Sequence, residues 1–258
     1  MFLFVSDMHF GRTDDLATER RHEADLVACL RAHEADVRGL YLVGDVFDQY
    51  IEYGHLVPKG FVRFQGLLAE WTDRGVPVTY LVGNHDPWHG DYFQRELGVQ
   101  VVGNTLIEPL CGQNVYLAHG DGLPDAPGLY KRLKPVLRHP VPVALYKTLL
   151  PGDSGMRLAR WVNRRIQHQE IEPAQVQALR DHARHTLQTT PADLAMMGHS
   201  HYPERCEWPE GCYVNLGSWY LSRTFARLDK SGLTLLCWDG TFSAASDVSA
   251  SRPGRGVL

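Results

Sequence analysis

Five short stretches of this chain set carboxylate, imidazole or amide side chains directly after an apolar run, and these are the donors that hold hard divalent cations. Asp7-Met8-His9 follows Phe2-Leu3-Phe4-Val5, Gly44-Asp45-Val46-Phe47-Asp48 follows Leu40-Tyr41-Leu42-Val43, and Gly83-Asn84-His85-Asp86 follows the run from Val76 to Val82. Later, Asn114-Val115-Tyr116-Leu117 leads into Ala118-His119-Gly120-Asp121, and Leu194-Ala195-Met196-Met197 into Gly198-His199-Ser200-His201. A short β-branched and aromatic run that stops abruptly in such residues reads as a buried strand with polar side chains at its C-terminal end. In an α/β sheet that rim is where chemistry sits.

Taken singly, each motif has an ordinary explanation. Asp-x-His suits a helix cap with a surface histidine, Gly-Asp-x-x-Asp a βα turn, Asn-His-Asp an Asx-type turn, and a lone His119 a satisfied core histidine. Gly-His-Ser-His says more, because imidazoles two residues apart on an extended loop point to the same side and reach neighbouring metals. Together the five supply only oxygen and nitrogen, in the order Asp-His, Asp, Asn, His, His-His. Without thiolate, that set suits Mn, Fe or Mg better than structural Zn.

The elements between the motifs must bring them to one rim. Asp14 to Ala35 carries Leu26, Val27 and Leu30 at helical spacing and predicts a covering helix. A loop over Tyr50 to Lys59 precedes a helix from Gly60 to Arg74 with Phe61, Phe64, Leu67, Leu68 and Trp71, ended by Gly75 and Pro77. A short helix over Asp91 to Leu97 and a strand pair around Val99–Val102 and Leu106–Leu110 follow. This alternation predicts a layered α/β core over residues 1–123 and 191–243. Residues 124–190, with helices over Arg157–Arg165 and Pro173–Leu187, contain no clean strand pattern and read as a helical cap inserted between two site-bearing strands. The Ser, Ala and Gly rich tail, 244–258, reads as mobile.

A chain of 258 residues accommodates one large α/β domain with such an insertion. Its formal charge of −4 is uneven, since Leu129 to His168 holds nine Lys or Arg against Asp153 alone and is near +8. That is either a solvated helical face or the site of an anionic partner. The five cysteines are odd in number with no CxxC pair, as expected of reduced thiols in a cytoplasmic protein. No secretion signal is apparent, and nothing approaches the roughly 18 apolar residues of a membrane span.

In this order the motif series resembles that of the calcineurin-like metallophosphoesterases across residues 1–220. The resemblance implies a four-layer αββα sandwich with a helical cap and two divalent metal ions, most often Mn2+, with Mg2+ or Fe2+ as alternatives. Motif by motif it implies Asp7, His9, Asp45 and His201 around one ion, and Asp45, Asn84, His119 and His199 around the other. The shared Asp45 carboxylate would set the cations about 3.5–4 Å apart, close enough to clamp a phosphoryl group. His85 is implied as proton donor or charge stabiliser, with Asp48 fixing its tautomer.

Outside the motifs, the runs Val57–Phe64, Asp91-Tyr92-Phe93, Glu96–Val99, Gly155–Arg160 and Tyr213–Trp219 are similar to one branch, the Bacteroidetes-type UDP-2,3-diacylglucosamine diphosphatases. That likeness implies a lipid-linked nucleotide as substrate, cleaved at its pyrophosphate to UMP and 2,3-diacylglucosamine 1-phosphate. It also implies a cytoplasmic enzyme with peripheral contact at the inner membrane. The cap's aliphatic residues would enclose acyl chains or rest on a bilayer, and Tyr130, Arg157, Arg160 and Arg164 would bind substrate. One departure is His85, where the proteobacterial diphosphatases carry Arg; a histidine also permits alkoxide-leaving chemistry, so other phosphodiesters or phosphomonoesters form the competing reading. An interaction platform without catalysis is disfavoured because no motif residue is missing. A nuclease is disfavoured because the basic segment is interleaved with aliphatics and prolines, not stacking aromatics, so no nucleic acid partner is expected.

Overall fold

The computed structural model describes residues 1–121, 135, 136, 138–166 and 171–244. Strands β1 (Phe2–Val5), β2 (Gly39–Val43), β3 (Val78–Leu81) and β4 (Gln100–Val102) run parallel. Antiparallel β10 (Thr224–Asp229), β11 (Gly232–Trp238) and β12 (Phe242–Ala244) extend the β1 edge, giving the order β12-β11-β10-β1-β2-β3-β4. A second sheet has the order β5-β6-β7-β9-β8, from β5 (Thr105–Leu110), β6 (Gln113–Ala118), β7 (Leu194–Met197), β8 (Glu204–Trp208) and β9 (Gly211–Asn215).

The two-residue period of each strand assigns its side chains to layers. Leu3, Val5, Leu40, Leu42, Val78 and Tyr80 face α1 (Leu16–Arg31), α2 (Val62–Asp73) and α3 (Tyr92–Leu97). The alternate residues Phe4, Tyr41, Val43 and Leu81 meet Val115, Leu117, Leu194, Met196 and Val214 between the sheets. Helix α1 starts where the Asp15 carboxylate accepts from the Ala17 and Thr18 amides, both at 3.2 Å. Helix α2 turns Phe64, Leu67, Leu68 and Trp71 inward at i, i+3, i+4 and i+7, and each such burial stabilises by about 1.5–3 kcal/mol.

On the outer face of the second sheet, Tyr116, Ala118, Ala195, Met197 and Tyr213 pack against Leu179, Ala183 and Leu187 of α6 (Pro173–Thr189). This helix is the fourth layer. The sequence reading assigns 173–190 to the cap, whereas its apolar face is buried against the sheet. A second difference concerns β4 and β5. They read as a strand pair, yet β4 pairs with β3 and β5 with β6, so the chain crosses between sheets there.

Between β6 and α6 lie α4 (Pro140–Leu149) and α5 (Gly152–Ile166), the second beginning earlier than its charge pattern indicates. Its first turn packs on the loop after β2, because a Cβ at Gly155 would fall 2.1 Å from the Tyr53 hydroxyl. The Tyr146 hydroxyl donates to the Gly155 carbonyl at 2.8 Å, and the Tyr146 ring meets Trp88 edge-on at 4.8 Å. The predicted mobile tail beyond 244 lies outside the described residues.

Candidate active site

All five motifs stand at the same rim of the sandwich. Asp7 and His9 follow β1, Asp45 and Asp48 follow β2, and Asn84 and His85 follow β3, all in the first sheet. His119 follows β6, and His199 and His201 follow β7, in the second. The strands do not deliver these residues by plain extension. Asp7, His9, Asp45, His199 and His201 have φ of 54°, 47°, 51°, 71° and 57°, left-handed backbone that side chains adopt only when surroundings enforce it. At Asp7, His9 and Asp45 β-like hydrogen bonds past the strand ends hold it, Asp7 N to Gly44 O (3.1 Å) and His9 N to Asp45 O (3.0 Å), and the His199 amide donates to the Asp7 carboxylate at 3.0 Å.

The side chains converge into overlapping groups whose ligand atoms lie within 4.8 Å of one another: Asp7, His9 and His201; Asp45, His119 and His199; and His9, Asp45 and His85. His201 Nε2 is 3.1 Å from Asp7 Oδ1 and 3.1 Å from His9 Nε2. Asp45 Oδ2 lies 3.2 Å from His119 Nε2 and 3.9 Å from both His9 Nε2 and His85 Nε2. Asn84 Oδ1 is 3.1 Å from His119 Nε2. Asp7, His9, Asp45 and His119 are buried, while Asn84, His85, His199 and His201 are half-buried and open the group to solvent.

This donor set fits divalent metal. Asp7 Oδ1 is buried and, although His201 Nε2 stands 3.1 Å away, has no partner in hydrogen-bonding geometry among the described residues. His119 Nδ1 sits 3.0 Å from the Val43 carbonyl, an acceptor only, so Nδ1 carries a proton and Nε2 is the nitrogen turned toward Asp45, the one that would face a metal ion. Electrostatics point the same way. Burial disfavours the Asp45 and Asp7 carboxylates as anions, but His119 beside the first and His201 beside the second hold both well below the ordinary range. Burial likewise opposes the charged form of His9 and His119, yet Asp48 and Asp7 raise His9 to about 9, and Asp45 raises His119 to about 10. His199 goes the other way, to about 4, through burial and the neighbouring His119. Two buried carboxylates that draw cationic partners define a hole for positive charge.

Several supports escape a reading of the sequence. Asp86 accepts from the amides of Gly83 (2.7 Å), Val46 (2.7 Å) and Phe47 (3.3 Å) and from the Tyr80 hydroxyl, tying the β2 and β3 ends together. Asn215 Nδ2 donates to Gly198 O at 2.7 Å and Ser218 Oγ to Asp7 O at 3.0 Å. Arg138 donates to Gly83 O, Gly103 O, Asn104 Oδ1 and Asp121 Oδ2 at 2.8–3.0 Å, so one cation of the basic segment is spent on the scaffold. The Asp48 carboxylate lies 3.4 Å from His9 Nδ1, and its main-chain carbonyl is 3.1 Å from His85 Nδ1. Asn163 of α5 joins them, with Nδ2 at 2.8 Å from that carbonyl and 2.9 Å from His85 Nδ1.

Of the predicted substrate residues, Arg157 and Arg160 are exposed on α5, one turn apart, and Arg164 continues the same helix. Tyr130 lies outside the described residues.

A family model described as Calcineurin-like phosphoesterase matches residues 1–203. The chain belongs to that family, whose chemistry implies divalent metals. Among proteins it resembles, a UDP-2,3-diacylglucosamine hydrolase of Porphyromonas gingivalis is 40% identical over 121 residues, covering 46% of this chain and 45% of that one. A UDP-2,3-diacylglucosamine hydrolase of Edwardsiella ictaluri is 27% identical over 244 residues, covering 91% and 90%. Among solved structures, Yfce, a phosphoesterase from E. coli, aligns with a TM-score of 0.47 at 15% identity, covering 94% of this chain and 96% of that one.

Proposed function

We propose that this chain hydrolyses the pyrophosphate bond of UDP-2,3-diacylglucosamine. Water adds its oxygen to the phosphorus next to uridine, the bond from that phosphorus to the bridging oxygen breaks, and UMP and 2,3-diacylglucosamine 1-phosphate leave. The observation that carries the reading is the convergence of two buried carboxylates and five histidines from two sheets in one cluster, in a chain that matches a relative bearing that hydrolase name over 90% of the relative's length. Asp7, His9, Asp45 and His201 would hold one divalent ion and Asp45, Asn84, His119 and His199 the other, with Mn2+ the expected metal. When bound, the pair supplies Lewis-acid neutralisation of the phosphoryl oxygens and a more acidic water.

The remaining work falls to the chain itself. His85 presents Nε2 to the cluster and donates to the phosphoryl or leaving oxygen. Asp48 orients His9 through its carboxylate. Arg157, Arg160 and Arg164 recognise the pyrophosphate, as Tyr130 does from the preceding segment. Residues 124–172 act as the cap. Val141, Leu145 and Leu149 stand on one stripe of α4 at 66%, 57% and 68% exposure, an apolar face suited to acyl chains or to the cytoplasmic surface of the inner membrane. No helix among the described residues is long and apolar enough to cross a membrane.

The test is Mn2+-supplemented hydrolysis of UDP-2,3-diacylglucosamine beside UDP-glucose and bis-p-nitrophenyl phosphate, with products resolved by mass. UMP and the acylated sugar phosphate are expected from the lipid substrate alone at high kcat/KM. Turnover of the simple diester with the lipid nucleotide ignored overturns the substrate and leaves the reaction class.

A further inference from the structure

We propose that Arg12, on the loop between β1 and α1, is a phosphate-binding residue of the site, whose guanidinium takes the phosphate next to the scissile phosphoryl group of a diphosphate ester. The proposal rests on the reading that the ligand cluster binds such an ester.

The backbone that carries Arg12 is fixed by a buried charge. Glu19, in the first turn of α1 and 5% exposed, directs its carboxylate at this loop. One oxygen accepts from the Gly11 amide at 3.0 Å and the other from the Thr13 amide at 2.8 Å. These two donors flank Arg12, whose own amide donates to His9 O at 3.2 Å. Three consecutive amides are thus tied down, one of them to the carbonyl of a candidate metal ligand. A carboxylate goes into the interior only with such partners, and those of Glu19 include this loop.

The side chain is placed as well. Its guanidinium carbon lies 5.0 Å from the centroid of the Tyr220 ring. Tyr220 belongs to the one-turn helix α7 (Trp219–Ser222), and its amide donates to Asp7 O at 3.1 Å. Its ring meets His22 edge-on at 4.9 Å and His9 edge-on at 6.5 Å, so the ring that carries the guanidinium also borders the ligand cluster. The Arg12 charge acts on the Asp48 carboxylate, itself 3.4 Å from His9 Nδ1.

What is left over is the hydrogen-bonding edge of the guanidinium. Arg12 is half-buried, and among the described residues no carboxylate or carbonyl accepts from its side chain. A planar fork of N–H donors that is held in place and left without an acceptor matches the paired oxygens of a phosphate. Arg12 stands at the border of the cluster, not among the candidate ligands, which suits an anion adjoining the one the cluster holds. A diphosphate ester has that second group and a simple monophosphate does not. Arg157, Arg160 and Arg164 come from α5, whereas Arg12 and its supports, Glu19 and Tyr220, all belong to the core.

The test is calorimetric titration of the full-length protein at saturating Mn2+ with uridine α,β-methylene diphosphate and with UMP. The two ligands differ by the second phosphate, so the ratio of their Kd values reads that contact. The wild type is expected to favour the diphosphate analogue by at least about 10-fold. Arg12→Gln is expected to erase the preference, and Arg12→Lys to keep part of it, because an ammonium retains the charge without the fork. Tyr220→Leu is expected to cut the preference about 3- to 10-fold and to add nothing in an Arg12→Gln background. Equal Kd values in the wild type, an unchanged ratio in Arg12→Gln, or a parallel rise of both Kd values in that variant overturns the proposal; the last would mean a disturbed loop, not a lost contact. Methylenediphosphonate against methylphosphonate repeats the comparison without uridine. If neither uridine compound binds, the nucleotide reading fails, and this second ratio still decides the role of Arg12.

Discussion

Replacing Gly83 by alanine strikes the Asp45 carboxylate without altering any candidate ligand. A Cβ at 83 would fall 2.0 Å from Asp45 Oδ1, 2.5 Å from its amide nitrogen and 2.7 Å from Cγ. Contacts of this kind are comfortable near about 3.5 Å, so something must yield by roughly 1.5 Å. The glycine cannot move freely, since its amide donates to Asp86 Oδ1 and its carbonyl accepts from Arg138. The carboxylate moves instead and loses the His85 amide that Oδ1 accepts at 2.9 Å. Overpacking costs about 1–3 kcal/mol and a broken hydrogen bond to a buried carboxylate about 1–3 more, together a Tm lower by roughly 5–15 °C. A ligand displaced this far is expected to weaken Mn2+ binding by at least about 10-fold and kcat by about 100-fold. Calorimetric Mn2+ titration and differential scanning fluorimetry measure both. The matching control is Gly66→Ala within α2, where a new Cβ meets nothing within 4 Å and helix propensity predicts a gain of about 0.5–1 kcal/mol. Wild-type metal affinity and turnover in Gly83→Ala would refute the reasoning.

Asp45→Ala and His119→Ala are expected to abolish turnover, by at least about 1000-fold, while leaving far-UV dichroism native, because these side chains serve the cluster more than the core; full activity in either removes the two-metal assignment. Arg157→Glu and Arg160→Glu, both at exposed positions, should raise KM for the lipid nucleotide about 10-fold and leave p-nitrophenyl phosphate within about twofold, and equal effects would take the cap out of recognition. His89 contributes to acid sensitivity: its ring stacks on Tyr50 at 4.3 Å, and burial, aided by the Lys147 charge, lowers its pKa from 6.5 to about 3. The unfolded chain therefore binds a proton that the folded one refuses, and stability falls by up to about 1.4 kcal/mol per pH unit between about pH 6.5 and 3, with no contribution above pH 7. His89→Phe should flatten the profile of Tm between pH 6.5 and 5, and parallel profiles would contradict this.

The ligand types and their attachment to strand ends were legible because buried strands announce themselves in β-branched and aromatic runs, and polar residues at their exits stand out. What the sequence hides is backbone and distance. Nothing in Asp7, His9 or Asp45 as residue types signals left-handed φ, since glycine is the usual marker and here the ladder beyond the strands imposes it. Nearness in sequence suggests that β4 and β5 pair, and nothing in the short stretch between them reveals that they belong to different sheets. Helix α6 carries an amphipathic pattern that fits a cap or a core layer equally, and only its packing on β7 and β9 decides. Asn163, a polar residue between hydrophobic and basic neighbours, reaches the Asp48 carbonyl 115 residues away in sequence, a contact that only the fold reveals.

The division of the donors between the two sheets has a mechanical consequence. The sheets share no strand, and between Phe4, Tyr41, Leu117 and Met196 they touch through side chains that can slide by small steps. Asp7, His9, Asp45 and Asn84 hang from one sheet and His119, His199 and His201 from the other, so a cation gripped by Asp45 and His119 is a rivet through the laminate. Stripped of metal, the sandwich should open as a book does, hinged at the far rim, and amide exchange should quicken at the ends of β1, β2, β6 and β7 before it reaches their starts.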